Sequence, residues 1–201
     1  MSARLASLRP EDLDPDQRAV YDAIAGGDRA KGVQHFPLAA DDGSLNGPFG
    51  IVLHAPGVGA VLQELGATIR YRTDLTTRAR EIAILLVAQA SGSEFEWWAH
   101  ERVGRAAGLT DEELMQLSMG RFAGPDPTEN AVAALSVVLL TSATVTDEEY
   151  AAAGAVLTER QIVEVTTLVG YYRLLAQLMT VFDIRVPGGE QDPPPAHRHA
   201  H

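Results

Sequence analysis

The sequence predicts an all-α protein, and three observations support this class. Six segments begin with a capping side chain followed three residues later by Glu or Gln, a pattern that starts helices. These boxes begin at Asp14, Ser93, Thr110, Asp126, Thr146 and Thr158. Glycine and proline close the segments that follow, and no segment shows the apolar and polar alternation of a strand.

Eight segments between these signals have helical length. They are 10–25, 56–72, 77–91, 94–107, 111–119, 127–142, 147–156 and 159–182. Pro15 and Pro127 stand at first helical positions, where the missing N–H costs nothing. Residues 27–50 are too rich in Gly, Asp and Pro for a helix, and we expect a functional loop or an arm there.

Two helices are apolar on nearly every side. Residues 82–88 (IAILLVA) and much of 159–182 must be covered on several sides, at the centre of a bundle or in a subunit interface. We therefore expect the chain to form oligomers with itself. Residues 1–186 are expected to form one helical domain, and the Pro- and His-rich tail 187–201 is expected to be disordered.

The composition excludes several classes of function. The chain has 201 residues and no cysteine, which excludes disulfides, cysteine-ligated metal sites and catalytic thiols. Sixteen Lys and Arg against 27 Asp and Glu give a formal charge of −11. That charge argues against nucleic acid and anionic membranes as partners. A cytoplasmic location is expected, because no segment resembles a membrane span or a signal peptide.

Glu81 is a candidate catalytic residue because of its position on the predicted helix 77–91. Its neighbours at one and two turns are Ile84, Leu85 and Ala88, an apolar face that does not favour an unpartnered carboxylate. One interpretation is a first-turn Glu that points outward and complements the helix dipole. The other is a buried carboxylate that serves as an acid or a base.

Glu96 and His100 form a second candidate pair on the next helix. They are four residues apart and therefore adjacent on its surface, among small apolar side chains. A carboxylate beside an imidazole orients the ring for proton transfer. However, Glu96 is also the third residue of the box that Ser93 begins, and capping alone would explain both residues.

The two tryptophans, Trp97 and Trp98, flank this pair. Adjacent residues on a helix point about 100° apart, so one ring is expected in the core and the other at an interface or a pocket wall. A divalent metal on Glu81, Glu96 and His100 is a weak hypothesis, because a second Glu-x-x-His motif is lacking. We expect neither a metal nor a cofactor.

Arg70, Tyr71 and Arg72 close the helix that precedes Glu81. Arginines in a last turn commonly complement the helix dipole. If they face a pocket instead, they supply bidentate donors for an anionic substrate. His54 could cap or line the same region.

Several motifs together resemble the carboxymuconolactone decarboxylase family, which includes the alkylhydroperoxidase D-like proteins. The resemblance covers about residues 10–185 and is most specific between 75 and 110. The matching motifs are LTTRAREIAIL from 75, GSEFEWWAH from 92, AAGLT from 106, LNGPF from 45, LHAP from 53, LG from 65 through the Arg70-Tyr71 pair, and GYY from 170.

The resemblance implies an all-helical fold that assembles as dimers, trimers or hexamers, with the pocket near subunit contacts. In the peroxidase branch of the family, Glu is followed by Cys after twelve residues, Cys after three more and His after four more. The same spacing here gives Glu81, Ser93, Glu96 and His100. Both thiols are replaced, so thiol peroxidase activity is not expected, whereas the Glu and His of the proton relay are retained.

The resemblance therefore implies a cofactor-independent lyase that acts on a small unsaturated carboxylic acid or lactone. Glu81, His100 and Glu96 are the candidate catalytic residues. The candidate substrate-binding residues are Arg70, Arg72, Tyr71, His54, Trp97 and Ser93. Two alternatives stay open: an isomerase or dehydratase that uses the same Glu/His pair on a specialised metabolite, and a catalytically idle oligomeric helical protein.

Overall fold

A computed structural model describes residues 4–27, 30–31 and 33–187. Over these ranges the chain forms a short 3-10 helix, Pro10–Asp12, and nine α-helices. The α-helices are α1 Pro15–Ala25, α2 Pro48–Val52, α3 Pro56–Tyr71, α4 Thr77–Ser91, α5 Glu94–Ala106, α6 Asp111–Ser118, α7 Pro127–Thr141, α8 Asp147–Gly154 and α9 Glu159–Val181. The described residues contain no strand, only an isolated antiparallel bridge between Ala39 and Leu45. The predicted all-α class is confirmed.

The capping patterns explain most of the helix starts. Reciprocal side-chain and backbone hydrogen bonds complete the boxes that begin at Asp14, Thr110, Thr146 and Thr158. Asp126 accepts from two backbone N–H groups of α7, but its box is not reciprocal. Thr76, which the box pattern did not identify, accepts from the N–H of Ala79 and caps α4.

Two differences from the predicted helices exceed two residues. The first predicted helix, 10–25, is divided, because Asp14 caps α1 and leaves Pro10–Asp12 as a separate 3-10 turn. The five-residue helix α2 was not predicted, since it lies at the end of the Gly- and Pro-rich segment 27–50. Gly47, at a φ of 62°, and Pro48 at the first helical position start it.

The described residues form two compact units. The first contains α1 to α3 and residues 177–187. Its core is apolar and consists of Val20, Ile24, Leu45, Val52 and Leu53, with partly buried neighbours around them. The prediction of one domain over 1–186 remains a prediction, and most of the tail 187–201 lies outside the described residues.

The second unit contains Thr73–Ala176 and is built around α4. Ten consecutive residues of α4, from Ala79 to Ala88, are buried, as the apolar run 82–88 predicted. Helices α5, α6 and α7 all pack against α4. The apolar core of this unit contains Ile82, Leu85, Leu86 and Ala88 of α4, with Trp97 of α5, Leu109, Leu114 and Leu117, and Ala133 of α7.

The last helix, α9, was predicted to be buried on several sides, but only part of its surface is buried. Val165, Leu168 and Val169 of α9 are buried, whereas Val163 and Leu174 are exposed. Within the described ranges, each helix is too short or too polar to cross a membrane.

Arg78 joins three helices of the second unit. Its Nε and Nη2 donate to the two carboxylate oxygens of Glu129 on α7, at 2.8 and 3.0 Å. Its Nη2 also donates to Glu113 Oε1 on α6 at 2.7 Å, and its Nη1 donates to the carbonyl of Gly108. These bonds raise the pKa of Arg78 further above its ordinary value. Arg78 therefore acts as a structural ion-pair centre that holds α6 and α7 to the first turn of α4.

We expect Arg78→Met to lower the free energy of unfolding by about 3 kcal/mol, because the carboxylates of Glu113 and Glu129 would remain largely buried without a compensating positive charge. Urea unfolding of the purified variant measures this change. The matched control is Arg160→Met, since the Arg160 side chain is 60% exposed and forms ion pairs with Asp74 and Glu164. The control should cost less than about 1 kcal/mol. Equal stabilities of the two variants would contradict the structural role of Arg78.

Candidate active site

Glu81 and His100 meet inside the second unit. Glu81 lies in the second turn of α4 and is 0% exposed, so the outward-pointing interpretation of this residue is wrong. His100 lies in the middle of α5 and is 7% exposed. The distance between His100 Nδ1 and Glu81 Oε2 is 2.6 Å. Two of the three candidate catalytic residues are thus in direct contact.

The connection between α4 and α5 makes this contact possible. Gly92 ends α4 in the left-handed conformation, at a φ of 61°, which side chains other than glycine rarely adopt. Only Gly92 and Ser93 separate the two helices, so α5 folds back along α4. This hairpin brings His100 to the level of Glu81, although nineteen positions separate them in the sequence.

The hydrogen bond assigns different roles to the two ring nitrogens of His100. A carboxylate only accepts hydrogen bonds, so Nδ1 carries the hydrogen and donates it to Glu81. Nε2 is then the nitrogen that can exchange a proton with another molecule. Tyr172 of α9 meets the imidazole in a T-shaped contact, with 5.2 Å between ring centroids. The ring is therefore oriented by a hydrogen bond and an aromatic contact.

Arg80 brings a positive charge to the same place, and the sequence analysis missed it. Its side chain is buried, and its Nε lies 4.0 Å from Glu81 Oε1. Its Nη2 donates to Thr77 Oγ1 at 3.3 Å. A buried cation next to a buried anion lowers the cost of burying both. The sequence did offer one sign of this role: Arg80 directly precedes Glu81, just before the apolar run 82–88.

Glu96 lies one turn before His100 on α5 and is 3% exposed. Neither of its carboxyl oxygens has a hydrogen-bond partner. Burial raises the pKa of Glu96 well above the usual glutamate value, and the nearby Ser93 hydroxyl opposes the shift only in part. Burial therefore favours the neutral, protonated form of this side chain over the charged form.

The predicted capping box between Ser93 and Glu96 is wrong. Ser93 is the N-cap residue of α5, but its side chain makes no capping hydrogen bond. Its backbone N–H donates to the carbonyl of Ala88 and not to Glu96. The reason is that the Glu96 side chain is buried in the core of the unit, so it does not turn back toward the start of the helix. Capping therefore does not explain Glu96.

Both tryptophans are buried within the chain. Trp97 belongs to the core around α4, and its Nε1 donates to Glu101 Oε2 at 3.1 Å. Trp98 is 3% exposed and lies under the Arg102 guanidinium, 4.6 Å from the ring centroid. The expectation that one of the two rings lies at an interface or a pocket wall remains a prediction.

The other predicted binding residues belong to the first unit. Arg72 donates to Glu64 at 3.2 Å, and Tyr71 is exposed with the Arg70 guanidinium 6.0 Å from its ring centroid. His54 is exposed, and its Nε2 lies 3.0 Å from the carbonyl oxygen of Ala6. Their roles in substrate binding remain predictions, as do those of Trp97 and Ser93. Among the described residues, no group of three or more His, Asp or Glu is placed to hold a metal ion.

Comparison with known proteins supports the resemblance deduced from the motifs. Residues 56–139 match the carboxymuconolactone decarboxylase family. This range contains Glu81, Ser93, Glu96 and His100. A comparison with curated protein sequences gives no match.

Three solved structures share the fold at low sequence identity. The AhpD core of a peroxidase-related protein from Ralstonia eutropha JMP134 has a TM-score of 0.69 and 14% identity, over 91% of each chain. The debrominase Bmp8, as a cysteine-to-alanine variant with 2,3,4-tribromopyrrole, has a TM-score of 0.68 and 14% identity, over 94% of each chain. An AhpD-related protein of unknown function from Agrobacterium tumefaciens has a TM-score of 0.62 and 17% identity, over 68% of this chain and 95% of the other. The predicted alkylhydroperoxidase D-like fold is confirmed.

We expect Glu96→Leu to raise the free energy of unfolding by about 1–3 kcal/mol at neutral pH, since it removes a buried acid without a partner. The pKa of Glu96 is raised in the folded state above 4.5. The unfolded chain therefore releases this proton first, and the wild type loses stability as the pH rises above that value. The gain from Glu96→Leu should accordingly grow with pH.

Urea unfolding at several values between about pH 5 and pH 8 measures this dependence. The control is Glu94→Leu, the same change at an exposed position of the same helix turn. It should stay within about 0.5 kcal/mol of the wild type throughout. A Glu96→Leu gain that does not change with pH would show that Glu96 titrates normally.

Proposed function

We propose that this chain, which belongs to the carboxymuconolactone decarboxylase and alkylhydroperoxidase D-like superfamily, is a cofactor-independent acid/base lyase. Its substrate would be a small unsaturated carboxylic acid or lactone, as in 4-carboxymuconolactone decarboxylation. The observation that carries the proposal is the 2.6 Å hydrogen bond between the buried His100 Nδ1 and Glu81 Oε2. Such a pair holds one imidazole nitrogen ready for proton transfer.

The chemistry of a decarboxylation fits this pair. When CO2 leaves, the electron pair of the broken C–C bond passes into the conjugated carbonyl of the substrate and forms an enolate. A proton must then be added to carbon. In the proposed reaction, His100 Nε2–H donates that proton, Glu81 holds the ring in place, and solvent returns a proton to His100 afterwards. One CO2 is released and one proton is consumed in each turnover.

The absence of cysteine directs the proposal away from thiol chemistry. Ser93 and Glu96 stand at the positions of the two thiols of the peroxidase branch, and the sequence has no other cysteine to replace them. We expect no thiol-dependent turnover of peroxides. Isomerisation or dehydration by the same Glu81–His100 pair would differ from the proposed reaction in releasing no CO2.

A catalytically idle protein fits the site less well. An inert helical core gains nothing from a carboxyl group such as Glu96, buried with neither oxygen bonded. Residues that reduce stability in this way are typical of sites that are maintained for function.

Self-association, in a cytoplasmic setting, is part of the proposal. Val163, Leu174 and Val181 of α9 expose apolar surface that another copy of the chain could cover. A dimer, trimer or hexamer would each be compatible with it. Light scattering on the purified protein distinguishes these states.

We expect His100→Ala to lower kcat/KM at least about 100-fold, because it removes the proton donor. Glu81→Gln should cause a loss of the same order, since a glutamine in place of the carboxylate no longer fixes the tautomer of His100. CO2 release from 4-carboxymuconolactone and a panel of acidic lactones measures the activity.

The control is His35→Ala, which removes an exposed histidine and should leave the rate unchanged. If wild-type protein turns over one of these compounds and His100→Ala matches its rate, the proposed role of His100 is wrong.

A further inference from the structure

The proposed proton transfer does not explain why the carboxyl group of Glu96 is buried. Nearly all buried side-chain polar atoms in proteins have a hydrogen-bond partner, and an exception needs a reason. Both carboxyl oxygens of Glu96 are buried without one. The capping role that the sequence suggested is absent, since Ser93 makes no side-chain capping bond.

The placement of Glu96 relates it to the catalytic pair. It precedes His100 by four positions on α5, so the Cβ atoms of the two residues lie about 5–6 Å apart on the same face of the helix. His100 in turn contacts Glu81. Glu96 therefore lies one helical turn from the imidazole, on the face of α5 that a small molecule receiving a proton from His100 would approach.

The protonation state of Glu96 decides what it can offer such a molecule. A carboxylate only accepts hydrogen bonds, whereas a carboxylic acid also donates one. Glu96 is buried, and no ion pair in the described part of the chain involves it, so burial, which disfavours its charged form, outweighs the opposing effect of the Ser93 hydroxyl. A neutral acid in a dry site is a strong donor toward an oxygen that becomes negative during a reaction.

We propose that Glu96, as a neutral carboxylic acid, donates a hydrogen bond to the substrate carbonyl oxygen that becomes an enolate oxygen when CO2 leaves. The inference rests on the proposed lyase function and assigns a second donor to the same site. Glu96 keeps its proton throughout, while His100 gives the proton that bonds to carbon. The site then recognises α,β-unsaturated lactones or acids, whose carbonyl oxygen takes up the electron pair.

Infrared difference spectroscopy of the full-length protein tests the donor without a substrate. At neutral pH the wild type should show the C=O stretch of a protonated carboxyl group. The band should disappear in Glu96→Gln and persist in the exposed-site control Glu94→Gln. Addition of 4-nitrophenol, at a pH where it is ionised, should shift the band to lower frequency, because the phenolate oxygen accepts the hydrogen bond. A missing band or an unshifted band would overturn the inference.

Kinetics with 4-carboxymuconolactone, or with the acidic lactone from the panel that the wild type consumes, test the catalytic role. Glu96→Leu removes the donor and should lower kcat by about 10²- to 10³-fold, with a smaller effect on KM. Glu96→Gln keeps a weaker N–H donor and should fall between Glu96→Leu and the wild type. Glu94→Gln should keep the wild-type rate.

A Glu96→Leu enzyme with wild-type kcat would overturn the inference and leave the role of His100 intact. If the wild type consumes no lactone, the proposed lyase function fails instead. The infrared response to 4-nitrophenol then decides by itself whether Glu96 is an oxyanion donor.

Discussion

The contact between Glu81 and His100 is the interaction on which the second unit depends. Removal of a carboxylate from water costs several kcal/mol unless it gains partners. Glu81 lies on a helix with ten consecutive buried residues, so solvent cannot supply those partners. The Nδ1–H of His100 and the nearby charge of Arg80 supply them instead. The same bond that makes the burial of Glu81 tolerable also fixes α5 against α4 and orients an imidazole for proton transfer.

Buried charged groups in the second unit have two opposite environments: some are fully hydrogen-bonded, and others lack hydrogen-bond partners. Arg78 is surrounded by acceptors from Glu113, Glu129 and Gly108, the arrangement of a residue that holds helices together. Glu96 is equally well buried as Glu129, yet both of its oxygens lack a donor. The fold therefore satisfies the charge of Arg78, which joins its helices, whereas Glu81 Oε1 and both Glu96 oxygens, at the candidate site, have no hydrogen-bond partner. This contrast identifies the site independently of the family resemblance.

Local signals were sufficient to predict most of the helices, since capping residues, glycines and prolines act within one turn. α4 has the predicted bounds, 77–91, for this reason. The Ser93 box failed because the Glu96 side chain is buried, which outweighed a single capping bond. The Arg78 ion pairs could not be predicted from local patterns, because they join residues 35 and 51 positions apart. The pairing of Glu81 with His100 was deduced from the family motif, as no helical period relates positions nineteen apart.

The burial of α4 also has a dynamic consequence. Its backbone N–H groups are bonded within the helix and shielded by α5, α6 and α7, so deuterium can reach them only when this packing opens. The helix that carries Glu81 therefore belongs to the slowest-exchanging part of the second unit. We therefore expect the relative position of acid and imidazole to be kept until the second unit unfolds, so that on heating the site is lost in the same cooperative step as the packing around α4.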